Sequence, residues 1–329
     1  MERQPRWESF HLHEASKLGS RLIVPTGTQI VLRSDIAKTG SDSNHPVGAI
    51  AEIILPPNDG GNGYTVRFAD GTEARLQRQQ FSILKQVKAG PIGDPANGVS
   101  AEELRQYIVY ECIVGSRAFG LDRDDSDVDR RGVYLPPADL QWSLYGVPEQ
   151  LEFADREECY WELEKFIGLA LKANPNILEC LYTPLVERTS EVGSALLENR
   201  TCFLSKFVYQ TYNGYVLSQF KKLEQDLRAT GEIKWKHAMH LIRLLLQGIT
   251  VLKEGAVPVQ VGEHRAALLA TRDGLQTWGD VNRWRLSLHS EFETAFRTST
   301  LPESPDYAKA NELLLWARRK MVEVKHVSC

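Results

Sequence analysis

The sequence contains no run of eighteen apolar residues, so nothing in it argues for a membrane-spanning helix. It also lacks a CxxC pair. Its five cysteines are scattered, and Cys112, Cys159, Cys180 and Cys202 stand among apolar neighbours, while Cys329 is the last residue. That placement fits small buried thiols better than zinc ligands or disulfides. A large charge of one sign is missing too: 39 Lys and Arg against 43 Asp and Glu leave −4, too little and of the wrong sign to draw nucleic acid globally. Any attraction to a polyanion must therefore be local. The opening stretch MERQPRWESFHLHE has no apolar centre of the kind a signal peptide needs, and a cytoplasmic protein is expected. There is no internal repeat and no low-complexity tract.

What remains is ordinary globular material: 329 residues with 42% hydrophobic and 25% charged side chains are enough for two domains and room for a small third. From Arg21 to Leu84, short apolar strands alternate with turn signals. Tyr64, Val66 and Phe68, then Asp70-Gly71, then Ala74 and Leu76 read as a hairpin with a tight turn. Several such strands in sequence predict a small β-barrel of SH3-like type over residues 1–90, with the Gly- and Pro-rich stretch 91–100 as a linker. Ser100 with Glu103 three residues later predicts a capped helix start. Helix, strand, turn, acidic strand, third strand and helix then follow over 101–195, and the periodicity from residue 196 to 329 is almost wholly helical. The expected fold class is α+β.

The stretch GSRAFGLDRDDSDVDRRGVYL, residues 115 to 135, departs from this ordinary pattern. Asp127 and Asp129 alternate along a coming strand, which would set two like charges on one face. Divalent cations remove that conflict, and Mg²⁺ is usually held by one or two carboxylates together with substrate phosphates. A nucleoside triphosphate supplies such phosphates. Gly115-Ser116, at the turn leaving the preceding strand, offers backbone N–H groups and a hydroxyl to them. Taken singly, an acid-x-acid pair is common on exposed strands, and Gly-Ser is a turn. Arg117, Arg130 and Arg131 flank the acids. They read either as phosphate partners or as a solvated surface balanced by Asp122, Asp124, Asp125 and Asp139.

Gly115-Ser116 followed by Ser126-Asp127-Val128-Asp129 resembles the signature of the DNA polymerase beta superfamily of nucleotidyltransferases. The longer context is similar to the RNA-ligase-associated predicted nucleotidyltransferases. It runs through WELEKFIGLALKANPNILECLYTP, YNGYVLSQFKKL, KHAMHLIRLLLQG and PDYAKANELLLWARR, roughly residues 105 to 325. The resemblance implies a minimal nucleotidyltransferase core with a mixed sheet over 101–195, a helical domain over 196–329, and a nucleotidyl group transferred from an NTP, ATP first, with Mg²⁺ or Mn²⁺. It assigns Asp127, Asp129 and a third carboxylate to the metals. Counting back from Leu163 puts the third at Glu157, where the superfamily usually has Asp. Glu158 lies on the opposite face of a regular strand, and a bulge would exchange the two. Gly115, Ser116, Arg117 and Ser126 fall on the nucleotide side of the same motif.

In the helical half, residues 233 to 253 hold four Lys or Arg and no acid. Lys236, His240, Arg243 and Gln247 form one polar stripe, and Ala238, Ile242, Leu245, Ile249 and Leu252 form an apolar one. By analogy with the superfamily, Lys236 or Arg243 contacts the triphosphate; the plainer reading is a solvated basic face. Tyr212, Tyr215 and Gln219 read as packing more readily than as a base-stacking platform. Pro175 after Asn174 predicts a capped helix start. The expected acceptor is a hydroxyl, on an RNA or tRNA end or on a protein side chain, and a non-catalytic nucleotide sensor is the alternative. The N-terminal domain reads as a contact module for protein or RNA, with Arg67, Arg75 and Arg78 diluted by Asp59, Asp70 and Glu73.

Overall fold

The structure is a computed structural model that describes residues 23–36, 45–57, 63–89, 99–124 and 126–324. Asp59, Asp125, Cys329 and most of the expected linker lie outside the described residues. The chain divides into two compact units, Met1–Ile92 and Gly93–Cys329.

In the first unit, β1 (Gln29–Leu32), β2 (Ile50–Leu55), β3 (Gly63–Phe68) and β4 (Glu73–Gln77) form an antiparallel meander. β5 (Phe81–Ile83) returns to pair with β1, and α1 (Leu84–Ala89) follows it. The Asp70-Gly71 turn forms because Gly71 takes φ +85° and the Asp70 carboxylate accepts from the Thr72 amide at 2.9 Å. Ile30, Ile53, Val66, Leu76 and Phe81 are buried on one side. The SH3-like closure expected from the sequence is not what the described residues form: the sheet is open, with β4 and β5 as its edges. β5 pairs with β1, and among the described residues it makes no ladder with β4.

The second unit begins with the predicted capping box. Ser100 accepts from the Glu103 amide, and Glu103 accepts in return from the Ser100 amide, at the start of α2 (Ala101–Leu104). A five-stranded mixed sheet follows. β6 (Ile108–Val114) leads through the one-turn α3 (Gly115–Phe119) to β7 (Asp129–Tyr134). After α4 (Ala138–Gln141) come β8 (Gln150–Phe153) and β9 (Glu158–Glu162), and β9 runs parallel to β7 while the other pairs are antiparallel. Then α5 (Leu163–Leu171), α6 (Pro175–Tyr182), β10 (Val186–Thr189) and α7 (Glu191–Glu198) complete the mixed region, and the strand order in the sheet is β10-β6-β7-β9-β8. Asn174 caps α6 through its side chain, with Pro175 at the first helical position.

The rest is helical: α8 (Phe207–Thr230), α9 (Trp235–Glu254), α10 (Arg265–Arg272), α11 (Trp278–Thr298) and α12 (Tyr307–Lys320). Ala238, Ile242, Leu245, Ile249 and Leu252 of α9 are buried, as the apolar stripe requires. They share one continuous core with Cys112, Val133, Trp161 and Phe166 beneath one face of the sheet. Ile108, Tyr134, Phe153 and Tyr160 make a smaller cluster on the other face. No helix among the described residues is long and apolar enough to cross a membrane.

Candidate active site

Antiparallel register puts Val114, the last residue of β6, opposite Asp129, the first of β7. Gly115 then turns the chain with φ +73°, a left-handed conformation that a side chain resists. A Cβ at Gly115 would lie 2.6 Å from Asp129 Oδ2, so the missing side chain is what lets the carboxylate rest against the turn. The other oxygen, Oδ1, lies 3.6 Å from Arg131 Nη2. Asp129 is thus fixed on two sides. β7 starts only at Asp129, which corrects the expectation that Asp127 and Asp129 alternate along one strand: the same-face relation holds for Asp129 and Arg131. Asp127 is exposed in the segment before the strand.

That segment is held by its backbone. Arg117 donates to the carbonyls of Ser126 at 2.7 Å and Asp127 at 3.3 Å. Its guanidinium positions the acidic loop, which is a different duty from the phosphate contact suggested by the motif. Ser126 Oγ accepts from the Arg123 amide at 2.8 Å, closing a turn. From the other side, three successive carbonyls accept donors of the helical half: Phe119 from the Val261 amide at 3.1 Å, Gly120 from Arg265 at 2.8 Å and Leu121 from Arg272 at 2.6 Å. Arg123 also pairs with Asp273 at 2.6 Å. Nothing in the sequence signals this attachment, because backbone carbonyls leave no trace in residue type.

Parallel pairing of Arg130 with Glu158 brings Glu157, one residue earlier, beside Asp129 at the same end of the sheet. Glu157 has φ +58°, and its carbonyl accepts from the Arg130 amide at 3.1 Å and from Arg131 Nη1 at 2.8 Å. Glu158 is buried on the opposite face, gripped by Arg105 through bonds of 2.9 to 3.1 Å. Arg130 is on that face as well, 2.7 Å from Glu187, and so is directed away from the acidic loop. Among the described residues no three His, Cys, Asp or Glu side chains stand close enough together to hold a metal ion. Two carboxylates brought together without cations repel each other, and Asp129 instead faces Arg131. Asp129 keeps about a third of its side chain exposed, and a carboxylate of that kind is the donor a hard divalent cation takes together with substrate phosphates.

The polar stripe of α9 requires a correction. Arg243 is 6% exposed, pairs with the equally buried Glu179 of α6 at 2.7 Å and stacks 3.7 Å from the centroid of the Phe119 ring. Gln247 is buried too, bonding the Tyr212 hydroxyl at 3.0 Å and the Pro258 carbonyl at 3.0 Å. These side chains form an internal network, because partners on other helices neutralise what sequence spacing alone shows as an outward face. Tyr212 is packed within the core, and Gln219 bonds His237 at 3.1 Å. Lys236 remains exposed, one turn from His240, whose ring meets Phe119 edge-on at 6.2 Å. Burial pushes the His240 pKa down to about 3, with Arg243, Lys236, His237 and Arg272 adding to the effect.

Residues 97–316 match the family described as the RNA repair pathway DNA polymerase beta family. The chain belongs to that family. Its members are polymerase-beta-type nucleotidyltransferases associated with RNA repair, and the match spans the mixed sheet and nearly all of the helices. A curated relative, the uncharacterized protein YcgL of Bacillus subtilis (strain 168), is 27% identical over 154 residues, 46% of this chain and 58% of that protein. The chain thus spans a little over half the length of that relative.

Proposed function

We propose that the chain is a metal-dependent nucleotidyltransferase that moves a nucleotidyl group from an NTP, with ATP as the favoured donor, to a hydroxyl at an RNA end. Asp127, Asp129 and Glu157 would hold Mg²⁺, or Mn²⁺ in its place, with Glu157 favoured over Glu158 because the latter is committed to Arg105. When bound, the ions lower the pKa of the attacking hydroxyl and steady the pyrophosphate that leaves. The protein's own contribution is positional. Gly115 lets Asp129 approach the turn, and Arg117 and Ser126 set the acidic loop; Ser116 and Lys236 would offer a hydroxyl and a charge to the phosphates. The observation that carries the reading is the contact of Asp129 Oδ2 with the position a Gly115 side chain would fill.

The test is incubation with each labelled NTP and Mg²⁺, offering total RNA or total protein as acceptor. Label in RNA is expected, and an Asp127→Ala/Asp129→Ala double variant is expected to lose transfer by about 1000-fold or more. Label in polypeptide would replace the RNA acceptor by a protein one. Nucleotide binding without transfer would make the protein a sensor, and transfer retained by the double variant would overturn the site itself.

A further inference from the structure

Arg131 is an enclosed guanidinium, at 9% side-chain exposure. It stands in the middle of the sheet, with Cys112 of β6 opposite it on one side and Cys159 of β9 on the other, both buried. Nη1 donates to the carbonyls of Arg130 and Glu157, each at 2.8 Å. Those two bonds aim Nη2, which comes within 3.6 Å of Asp129 Oδ1. On the β6 side the other oxygen, Oδ2, occupies the space beside Gly115, 2.6 Å from where a Cβ there would lie. The guanidinium fork is planar and permanently charged, so it acts here as a fixed cation beside the acidic loop. It also ties β7 to β9 at the residue proposed as third carboxylate.

We propose that Arg131 is a positioning residue that serves as a resident counter-cation of the acidic site, holding Asp129 in place before any metal arrives and competing with metal for it. The inference rests on the reading of Asp127 and Asp129 as metal-holding. Its consequence is that divalent ions bind weakly to the protein alone and need the phosphates of the nucleotide as further ligands. A residue that merely held the fold together would give the opposite sign on removal: metal affinity would fall along with turnover. Removal of a counter-cation leaves a more negative site, so the ion binds more tightly even as misplaced ligands slow transfer.

The experiment measures Mn²⁺ binding to the full chain without nucleotide, by electron paramagnetic resonance of the free ion, alongside labelled-nucleotide transfer. Arg131→Gln is expected to tighten Mn²⁺ binding about tenfold while transfer falls. Arg131→Lys, which keeps the charge, is expected to stay within about twofold of the parent in affinity. Looser Mn²⁺ binding by Arg131→Gln, or none at all, would overturn the inference. Equal Mn²⁺ binding by the parent and by Asp127→Ala/Asp129→Ala would overturn the metal reading of the acidic loop instead. Should Arg131→Gln fail to fold, melting of Asp129→Asn in EDTA decides. A lower melting temperature than the parent is expected, since Arg131 loses its partner charge, and a higher one, from relief of repulsion with Asp127, would overturn the proposal.

Discussion

Arg130 and Arg131 are neighbours in sequence, yet β7 sends them to opposite faces with different consequences. On one face Arg131 is enclosed and bonded to backbone carbonyls beside Asp129. On the other, Arg130 pairs with Glu187 with about a third of each side chain exposed, Arg105 grips Glu158, and the Tyr160 hydroxyl donates to Glu111. The second face is a network of complementary charges that closes on itself. The first leaves an acid at its edge whose surroundings, a bare glycine and an enclosed cation, fix its place without saturating it. Period-two alternation therefore separates scaffold from site within one strand.

The sharpest way to break this contrast is Gly115→Ala. The methyl group would need the space of Asp129 Oδ2 at 2.6 Å, and the left-handed φ of +73° disfavours any side chain. Displacing a positioned carboxylate by an ångström is expected to lower kcat for nucleotidyl transfer about 100-fold. The stability loss should be only about 1–2 kcal/mol, the strain of the backbone conformation. Transfer assays and thermal melts on the same preparation check both numbers, and full activity would remove the cradle from the account of the site.

How much of this was visible in the sequence depends on whether a feature is local. The Ser100 capping box, the Asp70-Gly71 turn and the Asn174-Pro175 helix start involve residues a few positions apart, and residue type dictates them. The turn at Gly115 was legible for the same reason, whereas the start of β7 at Asp129, which leaves Asp127 outside the strand, was not. The outward reading of Arg243 failed because its partner, Glu179, is 64 residues away on α6, and an acid on a separate helix cannot be paired by counting. Closure of the N-terminal sheet was not legible either, since it depends on a pairing between β4 and β5, strands that the sequence pattern does not place side by side. The grip of residues 261–272 on the carbonyls of Phe119, Gly120 and Leu121 is invisible to any reading of side chains.

A second test asks whether acid sensitivity also belongs to the helix-covered face. His240, against Phe119, has its pKa pushed down from 6.5 to about 3 by burial and by nearby cations. Between these two values the unfolded chain binds a proton that the folded chain does not. Stability is therefore lost as pH falls through this window, by up to about 1.4 kcal/mol per pH unit, while above it the residue makes no difference. His240→Gln is expected to flatten the melting temperature against pH on the acid side. An unchanged slope would assign the acid sensitivity elsewhere.

The smallest expected effect comes from Arg130→Ala. The pair with Glu187 is one-third exposed on each side, so its loss should change stability by about 0–1 kcal/mol. Nucleotidyl transfer and Mn²⁺ affinity should stay within about twofold of the parent, because the lost charge is on the far side of the sheet and screened by solvent. The value of the experiment lies in its comparison with Arg131→Gln, which removes the same unit of charge one residue along. If Arg130→Ala tightened Mn²⁺ to the same degree, the acidic loop would be responding to overall charge, and the distinction between the two faces would have no electrostatic content. Only a divergence between adjacent arginines supports the view that enclosure and aim, beyond sign, set the metal requirement.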